Sequence, residues 1–117
     1  MATGRVDRLR TPDHFKRVLR EGKRVNTAHL FVHSAERQDD EPGRYGLAVS
    51  RKLGGAVERN RIRRQLRAAV REVGGAPAGI DWVIMPKSGG KVSVGQLANE
   101  LSQIMAEVRR STPKGMI

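Results

Sequence analysis

The chain has no cysteine and few aromatic residues, and each shortage excludes a class of protein. Without cysteine there is no disulfide framework and no thiolate zinc site, which fits a reducing compartment. One tryptophan, one tyrosine and two phenylalanines are too few to stack a long run of bases. No stretch approaches the roughly 18 consecutive apolar residues of a membrane-spanning helix, and the N-terminus lacks the apolar core of a signal peptide. We therefore expect a cytoplasmic protein that makes no membrane contact.

Positive charge is what the chain has in excess. Lysine and arginine number 23 against 12 aspartate and glutamate residues, so the formal net charge is +11. Such an excess repels itself unless a partner neutralises it, and nucleic acid is the leading partner on charge alone. The length of 117 residues suits one RNA-binding domain over residues 1–117, with residues 1–8 and 111–117 expected to be disordered tails.

Six arginines fall between Arg59 and Arg71, and their spacing predicts a two-faced helix. At about 100° per residue, every fourth position lies in one row along a helix. An apolar arc on another side of the same helix can pack on a core, while Arg61 lies outside the row. The row and its neighbours are Arg59, Arg63, Arg67 and Arg71, with Asn60 and Arg64 beside them; the apolar arc is Ile62, Leu66, Ala69, Val70 and Val73.

Two interpretations of this arginine row compete. A charged run is usually a solvated helix face, but such a face mixes signs at i and i+4, whereas this one repeats like charges and has acids only at Glu58 and Glu72. A polyanion explains the row better, because each guanidinium group can hold a phosphate through two parallel hydrogen bonds. Ser50, Arg51 and Lys52 precede the helix and could help to hold a phosphate at its N-terminus.

The remaining pattern predicts an α+β fold. Pro12 suits the first position of a helix that Gly22 can close, and Phe15, Val18 and Leu19 share one face of that helix. Residues 30–35 and 45–50 are predicted to form an antiparallel pair of strands. The apolar run 81–85 predicts a strand covered on both faces, and Ser93 begins a final helix. The predicted order is helix, strand, strand, helix, strand, helix.

No catalytic residue is predicted within the protein, because no nucleophile has an adjacent base and no pair of carboxylates is placed for acid–base work. No metal ligand is predicted either, since His14, His29 and His33 are too scattered for a metal motif. His33 stays open as a residue that lines the exposed surface of the sheet.

The stretch from Tyr45 to Glu72 resembles the signature of the bacterial ribonuclease P protein subunit. Its centre is Arg59-Asn60-Arg61, preceded by a Val-Ser-basic-Lys turn and followed by basic residues at the next positions. The resemblance extends over nearly the whole chain. The further matching positions are Arg8, Leu9, Phe15, Arg63, Arg64, Arg67, residues 81–85 and residues 94–108.

The resemblance implies a small subunit that joins a catalytic RNA to remove the 5′ leader from precursor tRNA. This reaction is a magnesium-dependent hydrolysis, with magnesium bound mainly by the RNA and one protein expected per RNA. Together with the residue pattern, it predicts an RNA-binding set and a cleft for the single-stranded leader. The RNA-binding set is Arg51, Lys52, Arg59, Asn60, Arg61, Arg63, Arg64, Arg67 and Arg71; the cleft set is Phe15, Lys16, His33 and Ser50, with Lys52 also at a cleft position.

The resemblance also implies details of the fold. It implies a small mixed sheet of about four strands covered by three helices, in an αβββαβα-like order. The arginine helix would lie in a left-handed crossover, against the usual right-handed rule. Leu19 and His33 stand where family members often carry aromatic residues, which makes Phe15 the expected stacking platform. Because Val18 and Leu19 share its face, Phe15 could instead belong to the core.

Two rival functions share the same basic composition. A ribosomal or general RNA-chaperone protein would be equally free of catalytic residues. A DNA-binding module could place the arginine helix in a major groove, although this helix offers few side chains other than arginine and Asn60 to read base edges.

Overall fold

The computed structural model describes residues 7–8, 12–87 and 92–110 of the chain. No helix in these ranges is long and apolar enough to cross a membrane. The elements follow in chain order: β1 (Asp7–Arg8), α1 (Pro12–Glu21), β2 (Lys23–Asn26), β3 (Leu30–Glu36), β4 (Arg44–Leu47), a short 3₁₀ helix (Arg51–Leu53), α2 (Ala56–Glu72), β5 (Ile80–Pro86) and α3 (Val94–Arg110).

The strands form one mixed sheet in the order β1-β4-β5-β3-β2. The central strand β5 runs antiparallel to β3 and parallel to β4, so the predicted antiparallel pairing of β3 with β4 is wrong. The near-continuous apolar run of β5 is buried from Ile80 to Ile84, and a strand that is apolar on both faces is best covered at the centre of a sheet. It therefore lies between the two strands that precede it in sequence.

The two faces of the sheet carry different helices. Strand residues alternate between the faces: Val32 and Ile84 belong to the larger core cluster, which α2 and α3 complete. Ala35 and Val83 point the other way and form a smaller cluster with Val18 of α1. The sheet is thus covered by two helices on one side and by one helix on the other.

The predicted helices are confirmed, but one residue of α1 that was expected on its buried face is exposed. Helix α1 ends where the Gly22 N–H donates to the Val18 carbonyl, 2.8 Å away. Val18 is fully buried, but Leu19 is 42% exposed and not on the buried face as expected. Because α1 covers the sheet alone, only a narrow stripe of it is buried. The expected cap at Ser93 of α3 is present, since its Oγ accepts from the Gln96 N–H at 3.1 Å.

The sheet has more strands than the pattern indicated. Four longer strands and the two-residue β1 form it, which confirms the α+β class and the mixed sheet with three helices. Residues 7–8, at the end of the expected N-terminal tail, pair with β4 as β1; the remainder of both expected tails lies outside the described residues. Strand β2 lacks an alternating apolar pattern, because most of its residues are exposed at the sheet edge.

The arginine helix is the connection between two parallel neighbouring strands. Tyr45 of β4 lies opposite Trp82 of β5, and α2 lies between these strands in sequence. The expected crossover is therefore present. Its left-handedness stays a prediction.

Candidate nucleic-acid interface

The apolar side of α2 determines which way its arginines point. Leu66, Ala69 and Val70 are fully buried in the larger core cluster, and Ile62 and Val73 pack against it. Since the helix is rotated to bury this arc, the opposite arc is left toward solvent. The predicted two-faced helix is confirmed at Ala56–Glu72.

The arginines of α2 make few contacts within the protein. The Arg59 Nε donates to the Gly54 carbonyl at 3.2 Å, and the Arg63 Nη1 donates to the Asn60 Oδ1 at 3.2 Å. The Arg67 Nε is buried and has no hydrogen-bond partner among the described residues. In the same part of the chain, no arginine of α2 forms an ion pair. Apart from these two hydrogen bonds and the buried Arg67 Nε, their donors are free for an external acceptor.

Three arginines outside α2 are used quite differently. Arg17, Arg37 and Arg44 converge on the fully buried carboxylate of Asp81. The Arg17 Nη2 and Arg44 Nη2 lie 2.8 Å from the Asp81 Oδ2, and the Arg37 Nη1 lies 2.5 Å from the Oδ1. Burial raises the pKa of Asp81, but the hydrogen bonds from Arg44, Arg37 and Arg17 outweigh it and hold the pKa below its usual range. These arginines stabilise the fold.

The segment before α2 adds two exposed cations. Ser50 caps the 3₁₀ helix, because its Oγ accepts from the Lys52 N–H at 3.1 Å. Arg51 and Lys52 are exposed immediately after it, and the N-cap residue of α2 is Gly55, which has no side chain to cap the helix. The N-terminus of α2 consequently presents backbone N–H groups beside two cationic side chains, an arrangement that favours a bound anion.

The predicted cleft set is centred on the α1 side of the sheet, with Phe15 and Lys16 on α1 and His33 on β3. Ser50 lies beyond the end of β4. The strand register places Gly46, Val83, His33 and Arg24 in one row across four strands. The Phe15 ring lies over Gly46, where a Cβ atom would come within 2.2 Å of its Cζ. Phe15 is thus half-buried against the smaller cluster, so it is both part of the packing and part of the surface.

His33 is half-buried beside Phe31 and Arg24 on this face. Burial lowers its pKa, and the charge of Arg24 lowers it further. Its Nδ1 is buried without a hydrogen-bond partner among the described residues. The imidazole of His33 is therefore favoured in its neutral form, in which a ring nitrogen can accept a hydrogen bond.

Phe31 lies on the same face as the predicted cleft set and was not predicted from the sequence. The Arg24 Cζ lies 4.1 Å from the centroid of its ring and the Lys87 Nζ lies 4.6 Å from it, both within the range of cation–π attraction. Phe31 pairs with Met85 and, by strand alternation, shares the face of His33. Its spacing of two residues from His33 was the signal that could have found it.

Buried acids were also missed. Glu100 of α3 accepts from the Thr27 Oγ, the His29 N–H and the Gln96 Nε2, and its other contact is the His29 Nδ1. Burial raises the pKa of Glu100, but the hydrogen bonds from His29, Thr27 and Gln96 outweigh it and lower the pKa to about 2. Nothing in the local sequence marks Glu100 as buried, because Thr27 and His29 lie some seventy residues away from it in the chain. Within the described ranges, no cluster of three or more histidine or acidic side chains could hold a metal ion.

A mixed sheet with three helices, one of which presents unpaired guanidinium groups outward, defines a small nucleic-acid-binding protein of the α+β class. The family model described as Ribonuclease P matches residues 4–109 of the chain. The chain therefore belongs to the ribonuclease P protein family.

Individual relatives agree with this assignment. A ribonuclease P protein component from Oleidesulfovibrio alaskensis is 41% identical over 95 residues, which are 77% of this chain and 76% of the relative. One from Gluconacetobacter diazotrophicus is 38% identical over 87 residues, 73% of this chain and 75% of the relative. The solved RNase P protein from Thermotoga maritima is 27% identical with a TM-score of 0.73, covering 86% of this chain and 96% of that one.

A second solved structure supports the fold alone. The RNase P protein of Staphylococcus aureus is 24% identical with a TM-score of 0.75, covering 90% of this chain and 97% of that one. Taken together, these similarities give the chain the role of protein subunit of ribonuclease P, an endoribonuclease that matures the 5′ end of tRNA. Catalysis in that enzyme is carried by its RNA, which is the partner of this protein.

Proposed function

We propose that the protein binds ribonuclease P RNA through the outward side of α2 and guides the 5′ leader of precursor tRNA along the α1 side of the sheet. The observation that carries this proposal is the division of the arginines. Those of α2 have no carboxylate partner in the described part of the chain, whereas Arg17, Arg37 and Arg44 converge on Asp81. The RNA-binding set is Arg51, Lys52, Arg59, Asn60, Arg61, Arg63, Arg64, Arg67 and Arg71.

The contribution of α2 is electrostatic. Its guanidinium groups neutralise phosphates where the catalytic RNA and the substrate meet, which reduces the repulsion between the two RNA molecules. The same counter-charge lowers the magnesium concentration at which the RNA fills its metal sites. Magnesium is held mainly by the RNA, and no protein side chain needs to touch the scissile bond.

The leader lies on the sheet face that α1 leaves partly open. Phe15, with its half-buried ring over Gly46, offers a stacking surface for one base. Lys16 is exposed on the same helix, and His33 lies across the sheet from Phe15. Ser50 and Lys52 lie in the segment that joins β4 to α2, so a leader that follows the sheet to the end of β4 comes close to the RNA-binding set. We place one protein on each RNA, in the cytoplasm.

Reconstitution tests the proposal directly. The purified protein is mixed with a bacterial ribonuclease P RNA at low magnesium, and cleavage of the 5′ leader from precursor tRNA is measured. We expect the protein to stimulate cleavage by the RNA and to cut nothing without it. A lack of stimulation would favour a ribosomal or RNA-chaperone role, and tighter binding to duplex DNA than to the RNA would favour a DNA-binding role.

The leader path is tested by substrate length. Affinity of the reconstituted enzyme is compared for precursor tRNA with a leader of several nucleotides and for a substrate with a single leader nucleotide. We expect Phe15→Leu to weaken the first and to leave the second unchanged, because only the longer leader reaches Phe15. Equal losses for both substrates would place Phe15 outside the leader path.

A further inference from the structure

A cavity of about 390 Å³ lies between α2, the first turn of α3 and the end of β5. Ile62, Leu66 and Leu97 contribute apolar surface to it, and Glu58, Arg61 and Gln65 contribute polar groups. Its volume is near the lower end of the range of about 300–1,000 Å³ for small-ligand sites. Arg61 is the arginine that stands outside the row of α2, and it lines this cavity while remaining exposed to solvent.

The polar side chains of this cavity fall into two groups: His29 contacts Glu100 and the Lys87 Nζ donates to the Thr27 carbonyl, whereas three side chains of α2 are not engaged within the protein. In residues 12–87 and 92–110, neither Glu58, Arg61 nor Gln65 makes a side-chain hydrogen bond or an ion pair, although Glu58 and Arg61 are one helical turn apart. A free carboxylate beside a surface for a polyanion reduces the attraction. The charge of Glu58 therefore weakens the attraction of α2 for RNA, and a hydrogen bond from the RNA to Glu58 would offset this loss.

The mixture of charges defines the ligand. The Lys87 Nζ also lines the cavity but is held by the Thr27 carbonyl, so among the described residues the charges left without a partner are those of Glu58 and Arg61. These two charges are opposite, and neither a phosphate nor an ammonium group gains a net attraction from them. A neutral, flat group with hydrogen-bond donors and acceptors on its edges satisfies both side chains and covers the apolar surface. A nucleobase has these properties, and Arg binds the O6 and N7 acceptors of guanine with two parallel hydrogen bonds.

We propose that this cavity receives one guanine base, turned out of the ribonuclease P RNA. Arg61 donates to its O6 and N7, and Glu58 accepts from its N1–H and N2–H groups. Adenine, uracil and cytosine each lack part of this pattern. The inference rests on the proposed binding of α2 to that RNA, and it adds a base-specific contact to an interface that is otherwise made with phosphates.

The proposal is tested by whether Glu58→Gln strengthens or weakens binding of the RNA. Glu58→Gln removes a negative charge near the RNA, so a purely electrostatic interface would bind more tightly. If Glu58 accepts two hydrogen bonds from guanine, assembly should instead weaken by at least about fivefold. Glu72→Gln removes the same charge from the exposed C-terminal end of α2, and its affinity should stay equal or rise. Unchanged or tighter binding by Glu58→Gln, in a variant with normal thermal unfolding, would overturn the proposal.

Photocrosslinking identifies the base. Ribonuclease P RNA is transcribed with sparse 6-thioguanosine or, separately, with 4-thiouridine, assembled with the protein and irradiated. We expect 6-thioguanosine crosslinks on the peptide that contains Arg61 and Gln65. Gln65→Trp, which places a bulky ring at the wall of the cavity, should abolish them, whereas Gln103→Trp on the exposed side of α3 should retain them.

Each outcome of the crosslinking is informative. Crosslinks from 4-thiouridine alone, or 6-thioguanosine crosslinks that persist in Gln65→Trp, would contradict a guanine in this cavity. Normal assembly without any crosslink to this peptide would also overturn the inference while leaving the proposed function intact. Failure of the unaltered protein to assemble with the RNA would instead refute the proposed function itself.

Discussion

At the scale of single residues, Glu100 and Phe31 make contacts with residues that are distant in the sequence, and each contact leads to a prediction. Glu100 joins α3 to the turn between β2 and β3 through Thr27 and His29. Its pKa is about 2 in the fold against an ordinary 4.5. Because the folded pKa is the lower one, its stabilisation is complete above about pH 4.5 and is lost as the pH falls toward 2, by about 3 kcal/mol in total.

Glu100→Gln should therefore lose stability mainly at neutral pH. We expect its free energy of unfolding to fall by about 1–3 kcal/mol at pH 7, because one amide oxygen cannot replace two carboxylate acceptors. At pH 3 the difference from the unaltered protein should be smaller. Urea unfolding at both pH values measures this, with Glu72→Gln as the control. An equal deficit at both pH values would contradict the linkage.

Phe31 gives a second prediction at this scale. Phe31→Leu keeps an apolar side chain but removes the ring that attracts Arg24 and Lys87. Each exposed contact of this kind is worth about 0.5–1 kcal/mol. Loss of the ring releases these two cations from their positions on the leader face, so we expect leader-dependent affinity for precursor tRNA to fall by roughly twofold to fivefold, the equivalent of one such contact, while affinity for the RNA subunit stays the same. Fluorescence binding assays with both RNA molecules separate these effects, and a loss on the RNA subunit would refute the assignment.

At the scale of the element, the repeat of α2 was the best-predicted part of the molecule. Its apolar arc is buried at Leu66, Ala69 and Val70, as the spacing indicates, because one helix has one rotation that buries that arc. The helix pattern placed Arg61 outside the row, but it did not reveal the cavity beside Arg61, because residues from α3 and β5 complete that cavity. The spacing of residues along one helix predicts which side of that helix is buried, whereas a cavity is formed by several elements that are distant in the sequence.

The row on α2 leads to a prediction about salt. If about five phosphates are neutralised, affinity for the RNA should fall with log salt at a slope near −3.5, from roughly 0.7 per contact. Arg63→Ala combined with Arg67→Ala should weaken assembly and flatten the slope to roughly −2. Arg20→Ala combined with Lys23→Ala removes the same charge from exposed positions outside α2 and should leave the slope unchanged. Equal flattening in both variants would show that only net charge matters.

At the scale of the whole molecule, Asp81 connects four parts of the chain. Its carboxylate in β5 is hydrogen-bonded by Arg17 of α1, Arg37 after β3 and Arg44 of β4. Asp81→Asn would leave three guanidinium groups around a neutral amide. Removal of one partner from a buried charge cluster costs about 3–5 kcal/mol, and we expect the lower end because Arg17 and Arg44 are partly exposed and can turn toward water.

Thermal and urea unfolding test this expectation at pH 7. Asp40→Asn, in the exposed turn before β4, is the matched control and should change stability by less than about 0.5 kcal/mol. If Asp81→Asn were as stable as the control, the cluster would not hold these elements together. Binding of the RNA by folded Asp81→Asn should be unchanged, since its arginines are not part of the RNA-binding set.

The sequence by itself determined the helices, the central buried strand, the charge of the partner and the outward side of α2, because each depends on a short-range repeat or on composition. Only the tertiary structure decided the strand order, the division of arginines between Asp81 and solvent, the ring of Phe31 beneath two cations, and the cavity beside Arg61. These features bring together residues far apart in the chain, and their pairing depends on how the elements pack, which no local spacing encodes.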